Sequence, residues 1–162
     1  MTSLVLPVLT LCVATLLAGA GAVLAFFRRT PAAAVSFAAM LVAALSGLVA
    51  FDSGSLWFWG CAAVIAAIIP YAAPVADSQA RLYTVGAALA GAAVGLVGGT
   101  VAWVVLGAAA GAFLGFFAYT RTPRGVRAGA SLSRLDILAA LGLPAVVNFS
   151  IIMLIFAQLI QI

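Results

Sequence analysis

Chemistry needs groups that hold or move protons, electrons or metals, and this chain has few. Its only carboxylates are Asp52, Asp77 and Asp136, and it contains no Glu, Lys or His. Two-metal and glycosidase-type hydrolysis want acidic side chains paired in space. Here the three aspartates fall one to each of three polar links between apolar runs. Without imidazole there is no Ser–His or Cys–His nucleophile pair and no His-ligated metal site. The glycines lie inside apolar runs with no Lys after them, so no phosphate-cradling loop is formed. Cys12 and Cys61 also lie in apolar runs and are expected to be small buried hydrophobes, not a disulfide. The reading is a non-enzymatic protein with no cofactor and no metal.

The most suggestive polar group is Asn148, deep in the last apolar run, four residues after Pro144 and two before Ser150. Pro144 offers no N–H to the Ala140 carbonyl and should kink a helix there. One reading is a broken helix with Asn148 and Ser150 lining a substrate path. The other, which we favour, is interhelical hydrogen-bond glue worth ~0.6–2 kcal/mol. Pro70, beside Tyr71, should end or kink its own segment in the same way. Ser36, Ser46 and Thr84 can bond their own helix backbone and need no further role.

The elements that carry these residues follow from composition. Of 162 residues, 67% are hydrophobic and 6% charged, with a mean hydropathy of +1.35. Soluble domains are about 25% charged, so water is the wrong solvent for this surface. The net charge of +4 rests on seven Arg in short gaps between apolar runs. That pattern excludes intrinsic disorder and a nucleic-acid face, which needs a clustered, solvated basic patch. The first run lacks a basic stretch before it and carries Arg28-Arg29 after it. It is expected to stay as a helix, not to be cleaved as a signal.

A helix needs ~20 apolar residues to cross a ~30 Å hydrocarbon layer. Charges, Pro, Gly and Ser divide the chain into segments at about 4–27, 33–51, 56–73, 82–97, 101–119 and 135–160. The run from Leu82 to Tyr119 is too long for one crossing, and Gly98-Gly99-Thr100 supplies a turn. Ser133 and Asp136 fit a capping box at the start of the last segment. The runs show no period-2 alternation, so a barrel is disfavoured. The expected fold is all-α: a single polytopic integral membrane domain over 1–162 with about six transmembrane segments. With the first link inside, Arg28, Arg29, Arg81, Arg121, Arg124, Arg127 and Arg134 all fall on the cytoplasmic side, as orientation by positive charge demands. Both termini are then outside. A re-entrant hairpin over 82–119 keeps the same parity and stays open. Trp57, Trp59 and Trp103 are expected at the outer edge, and Phe26, Phe27, Tyr71, Tyr83 and Tyr119 near the inner one.

Lipid gives helices little reason to associate except close fit. Gly91, Gly95 and Gly99 are spaced by four, and so are Gly107, Gly111 and Gly115. Each triplet makes one smooth helix face, a glycine-zipper signature. It serves an internal hairpin or, alternatively, a homo-oligomer built through the glycine faces. A faint echo relates Gly21-Ala-Val-Leu-Ala-Phe-Phe to Gly111-Ala-Phe-Leu-Gly-Phe-Phe, each soon followed by Arg-Thr-Pro.

The stretch from Gly91 to Gly115, the link through Arg127-Ala-Gly129 and the final apolar helix resemble the bacterial membrane family called domain of unknown function 456. The resemblance covers roughly residues 55–160 and includes the string Gly111-Ala112-Phe113-Leu114-Gly115. Where members often carry an acidic residue this chain has Phe116, and it has no basic residue after Arg134. The resemblance implies a bacterial inner-membrane protein. The expected partner is the lipid bilayer. The function expected is a small oligomeric transporter, channel or lipid-handling protein, its small-molecule or lipid substrate unknown. The alternative is a structural or accessory subunit packed against another membrane protein.

Overall fold

The computed structural model describes residues 2–27, 30–72, 77–128 and 134–160. Arg28, Arg29, the Ser133 capping position and the Arg134 side chain therefore lie outside the described residues. Six long helices and one short one follow in order: α1 (Thr2–Leu24), α2 (Ala32–Leu45), α3 (Ser53–Ala72), α4 (Ser78–Leu96), α5 (Val101–Thr120), α6 (Pro123–Ala128) and α7 (Arg134–Ile160). No strand occurs among the described residues, and the fold is all-helical. Four helices are long and apolar enough to cross a membrane by length and composition: α1, α3, α5 and α7. The 14 residues of α2 reach about 21 Å at 1.5 Å per residue. Helix α4 carries Ser78, Gln79 and Arg81 in its first turn, which lowers its hydropathy.

Local chemistry sets most boundaries. Asp77 is extended and accepts from the N–H groups of Gln79 (2.8 Å) and Ala80 (3.4 Å), so it caps α4. Asp52 does the same for α3 through the Ser55 N–H at 2.9 Å. The α4–α5 turn closes at Gly99, whose φ of +72° lies in the left-handed region that favours glycine. Helix α2 stops earlier than expected. The Ser46 hydroxyl donates to the Ala43 carbonyl at 2.6 Å and Gly47 takes φ +69°, so residues 48–52 leave the helix although they are apolar.

Helix α7 is the axis. It packs against α2, α3, α4 and α5 and also touches α1. Inside the bundle, 61% of its apolar span is buried, against 17% for α1 and α3. Pro144 sits within a continuous α7, and Pro70 lies two residues from the end of α3. The core around α7 is built of small side chains, among them Ala14, Ala18, Ala39, Ala63, Ala88 and Ala108. Small residues let helix backbones approach, which is where packing energy comes from when the surroundings are as apolar as the interior.

The closest approach is the antiparallel pair α4–α5. A Cβ on Gly91 would lie 2.1 Å from the Gly107 carbonyl oxygen, and one on Gly111 2.1 Å from that of Ala87. Gly95, Gly107 and Gly115 meet opposing backbone at 2.2 Å in the same way. These five glycines therefore face one another's helices within one chain, and Gly99 makes the turn. The echoed glycines differ in partner: Gly21 meets Ser36 on α2, the following helix, whereas Gly111 meets α4, the preceding one.

Several aromatic and thiol positions depart from expectation. Trp57 and Trp103 are exposed, but Trp59 is buried, edge-on to Phe58. Tyr119, expected near the inner edge, is also buried and so does not face the surroundings as a belt residue would. Cys12 and Cys61 are exposed rather than buried.

Candidate functional site

Three groupings of polar side chains stand out. The first joins the middle of α7 to the last turn of α1 and the second turn of α2. Asn148 is buried on α7, and its Oδ1 accepts from the Ser36 hydroxyl of α2 at 2.8 Å. Its Nδ2 donates to the Gly21 carbonyl of α1 at 3.3 Å. Gly21 is required by this contact, since a Cβ there would lie 2.1 Å from the Ser36 hydroxyl oxygen. One side chain thus ties three helices. Ser36 is therefore not engaged with its own helix, contrary to the simplest sequence expectation. Thr84 and Ser150 are buried, and their hydroxyls find no partner among the described residues. Ser150 and Asn148 do not meet through a hydrogen bond.

The second grouping is a small cavity of about 30 Å³ where α2, α3, α4, α7 and the α1–α2 link converge. Arg81 and Thr30 form its polar wall, and Ala66, Pro70, Ala140 and Pro144 its other sides. Each proline stands four residues after one of those alanines, so the Ala66 and Ala140 carbonyls lack the donor that a helix normally supplies. Arg81 is buried and its guanidinium donates to the Phe27 carbonyl. A space of this size holds about one water, and the surrounding donors and acceptors suit it. Sequence reasoning placed Arg81 only as an orienting charge. The readable signal was the matching offset of Pro70 and Pro144 from small residues.

The third lies at the same end of the bundle. The buried Tyr119 hydroxyl donates to Asp77 Oδ2 at 2.6 Å, joining α5 to the cap of α4. Partial burial pushes the Asp77 carboxyl upward, but hydrogen bonds from Tyr119, Gln79 and Ala80, with the nearby Arg124 charge, outweigh it and hold the group below the ordinary carboxylate range. The unfolded chain then binds more protons at Asp77 than the folded one. This contribution is in place above about pH 3.9, the unfolded value, and is lost as pH falls through the lower folded value. Tyr119→Phe should cost about 1 kcal/mol at neutral pH and move the onset of acid unfolding to higher pH. Thermal melts across the acid range check this, and an unchanged onset contradicts the contact.

Among the described residues no three metal-ligating side chains cluster. The arrangement holds helices together and places one buried cation beside a small cavity; among the described residues it brings no nucleophile to a base. Comparisons of the chain with protein-family models, curated proteins and solved structures return no match.

Proposed function

We propose that this is a non-enzymatic, six-span protein of the bacterial inner membrane that acts through its outer surface, as a structural or accessory subunit among lipids and other membrane proteins. The observation that carries this reading is the closed axis. From Phe149 to Ile155 helix α7 is enclosed by apolar neighbours, with Phe149, Ile151, Ile152 and Ile155 almost fully buried. Any polar passage along the bundle would have to displace that plug. The amide of Asn148 is spent on Ser36 and Gly21. The glycine faces are occupied within the chain, so self-association has to use other surfaces. The bacterial inner-membrane assignment rests on the family resemblance and on the arginine pattern.

Purified protein in liposomes should release no trapped ion or small solute faster than empty vesicles. Cross-linking in native membranes should recover a reproducible membrane-protein partner. Recovery of the protein alone, together with solute flux, favours the transporter reading instead. The observation in that reading's favour is the Arg81 cavity, flanked by two prolines that could act as hinges.

A further inference from the structure

Helix α5 ends at Thr120, and the chain turns through Arg121 and Thr122 into α6. The turn is tightly fixed. The Thr122 hydroxyl donates to the Tyr119 carbonyl at 2.7 Å and accepts the Gly125 N–H at 3.1 Å. Gly125 is buried so close to α5 that a Cβ there would lie 2.1 Å from the Tyr119 carbonyl oxygen. Such an elbow holds its outward side chains in a set arrangement. Arg121, Arg124 and Arg127 are all exposed on it. The Arg121 guanidinium carbon stands 4.6 Å above the centre of the Phe117 ring, a cation–π contact that orients its fork. Asp77 lies near enough for its charge to couple to Arg124. Its oxygens already accept from Tyr119, Gln79 and Ala80.

Apolar surface lies directly beside this charge. Phe113, Phe117 and Arg121 are spaced by four and so share one side of the helix. Phe113 and Phe117 are exposed, as is Val126 beside Arg127 on α6. A free anion would have no use for that stripe. A molecule that is anionic at one end and hydrocarbon below would match both parts. Arginine suits phosphate oxygens because its fork presents paired donors.

We infer that the α5–α6 elbow binds an anionic phospholipid of the inner leaflet, its phosphate diester between Arg121, Arg124 and Arg127 and its acyl chains along Phe117 and Phe113. This rests on the membrane reading above. The test uses full-length protein in neutral detergent. It is titrated with phosphatidylglycerol, phosphatidylcholine or inorganic phosphate, and read by native mass spectrometry and by melting temperature. Phosphatidylglycerol should be retained and raise the melting temperature, with binding that weakens as salt rises. Phosphatidylcholine and inorganic phosphate should do neither. The exposed pair Arg121→Gln/Arg127→Gln should weaken phosphatidylglycerol binding about thirty-fold, while the lipid-free double variant still unfolds cooperatively, its melting temperature lowered by about 4 °C at most through loss of the Arg121–Phe117 contact. Equal retention of the two lipids, equal binding by the double variant, or competition by inorganic phosphate as strong as by the lipid each overturns the inference. Recovery of the protein from the soluble fraction of broken cells overturns the membrane reading itself, whereas a membrane-bound protein without lipid preference overturns this inference alone.

Discussion

Gly111→Ala should destabilise the protein by about 3 kcal/mol, near the upper end of what overpacking costs. The added methyl would meet the Ala87 carbonyl oxygen at 2.1 Å and the Ala88 Cα at 3.2 Å. Those are backbone atoms, so no side-chain rotamer can relieve the clash, and α4 and α5 must move apart. Every neighbouring glycine contact along the hairpin is then loosened, because the faces at Gly91, Gly95, Gly107 and Gly115 fit at the same spacing. The control is Gly19→Ala. A methyl there meets nothing within 4 Å, and replacing glycine inside a helix gains about 0.5–1 kcal/mol. Unfolding of both variants in the same detergent gives the comparison. If Gly111→Ala is tolerated as well as Gly19→Ala, the packing described for the hairpin is wrong.

The second large effect belongs to Asn148. Asn148→Ala leaves the Ser36 hydroxyl without its acceptor, takes one of two donors from the Gly21 carbonyl, which keeps the Ala25 N–H at 3.2 Å, and opens a hole in the most buried part of α7. Unmet buried groups cost about 1–3 kcal/mol, and measured interhelical hydrogen bonds in membranes lie at the low end. With the lost packing added, a total of about 2–3 kcal/mol is expected. Ser36→Ala should cost about 1 kcal/mol. Because the two side chains share one bond, the double variant should fall short of the sum by about 0.5–1.5 kcal/mol. Strict additivity in that cycle would show that the contact contributes nothing.

These two sites also mark how far the sequence could be read. Helix breaks at Asp52, Asp77 and Gly98-Gly99 were legible because a cap or a left-handed glycine is a local event. The end of α2 was not, since Leu48 to Phe51 continue the apolar pattern and hydropathy does not register Ser46 and Gly47. The glycine spacing showed which face of α4 and of α5 is smooth; it did not say that each is the other's partner. Asn148 was recognisable as glue, but Ser36 lies 112 residues away, and nothing local links the two. Trp57 and Trp59 sit two residues apart, about 200° around a helix, so both could not have faced outward. The thiols were misjudged for a solvent reason. When lipid is as apolar as the core, an apolar run does not reveal which side of it is inside.

Labelling of engineered cysteines with a membrane-impermeant maleimide in spheroplasts tests the central claim, that the bundle crosses the bilayer with its arginine-bearing end inside. Cys12 and Cys61 are first replaced by Ala, and a single cysteine is introduced as Thr100→Cys at the α4–α5 turn or as Arg127→Cys on α6. Thr100→Cys should react in intact spheroplasts, and Arg127→Cys only after permeabilisation. Protection of both until the membrane is opened would mean that α4 and α5 dip in and return on the cytoplasmic side, contradicting six crossings.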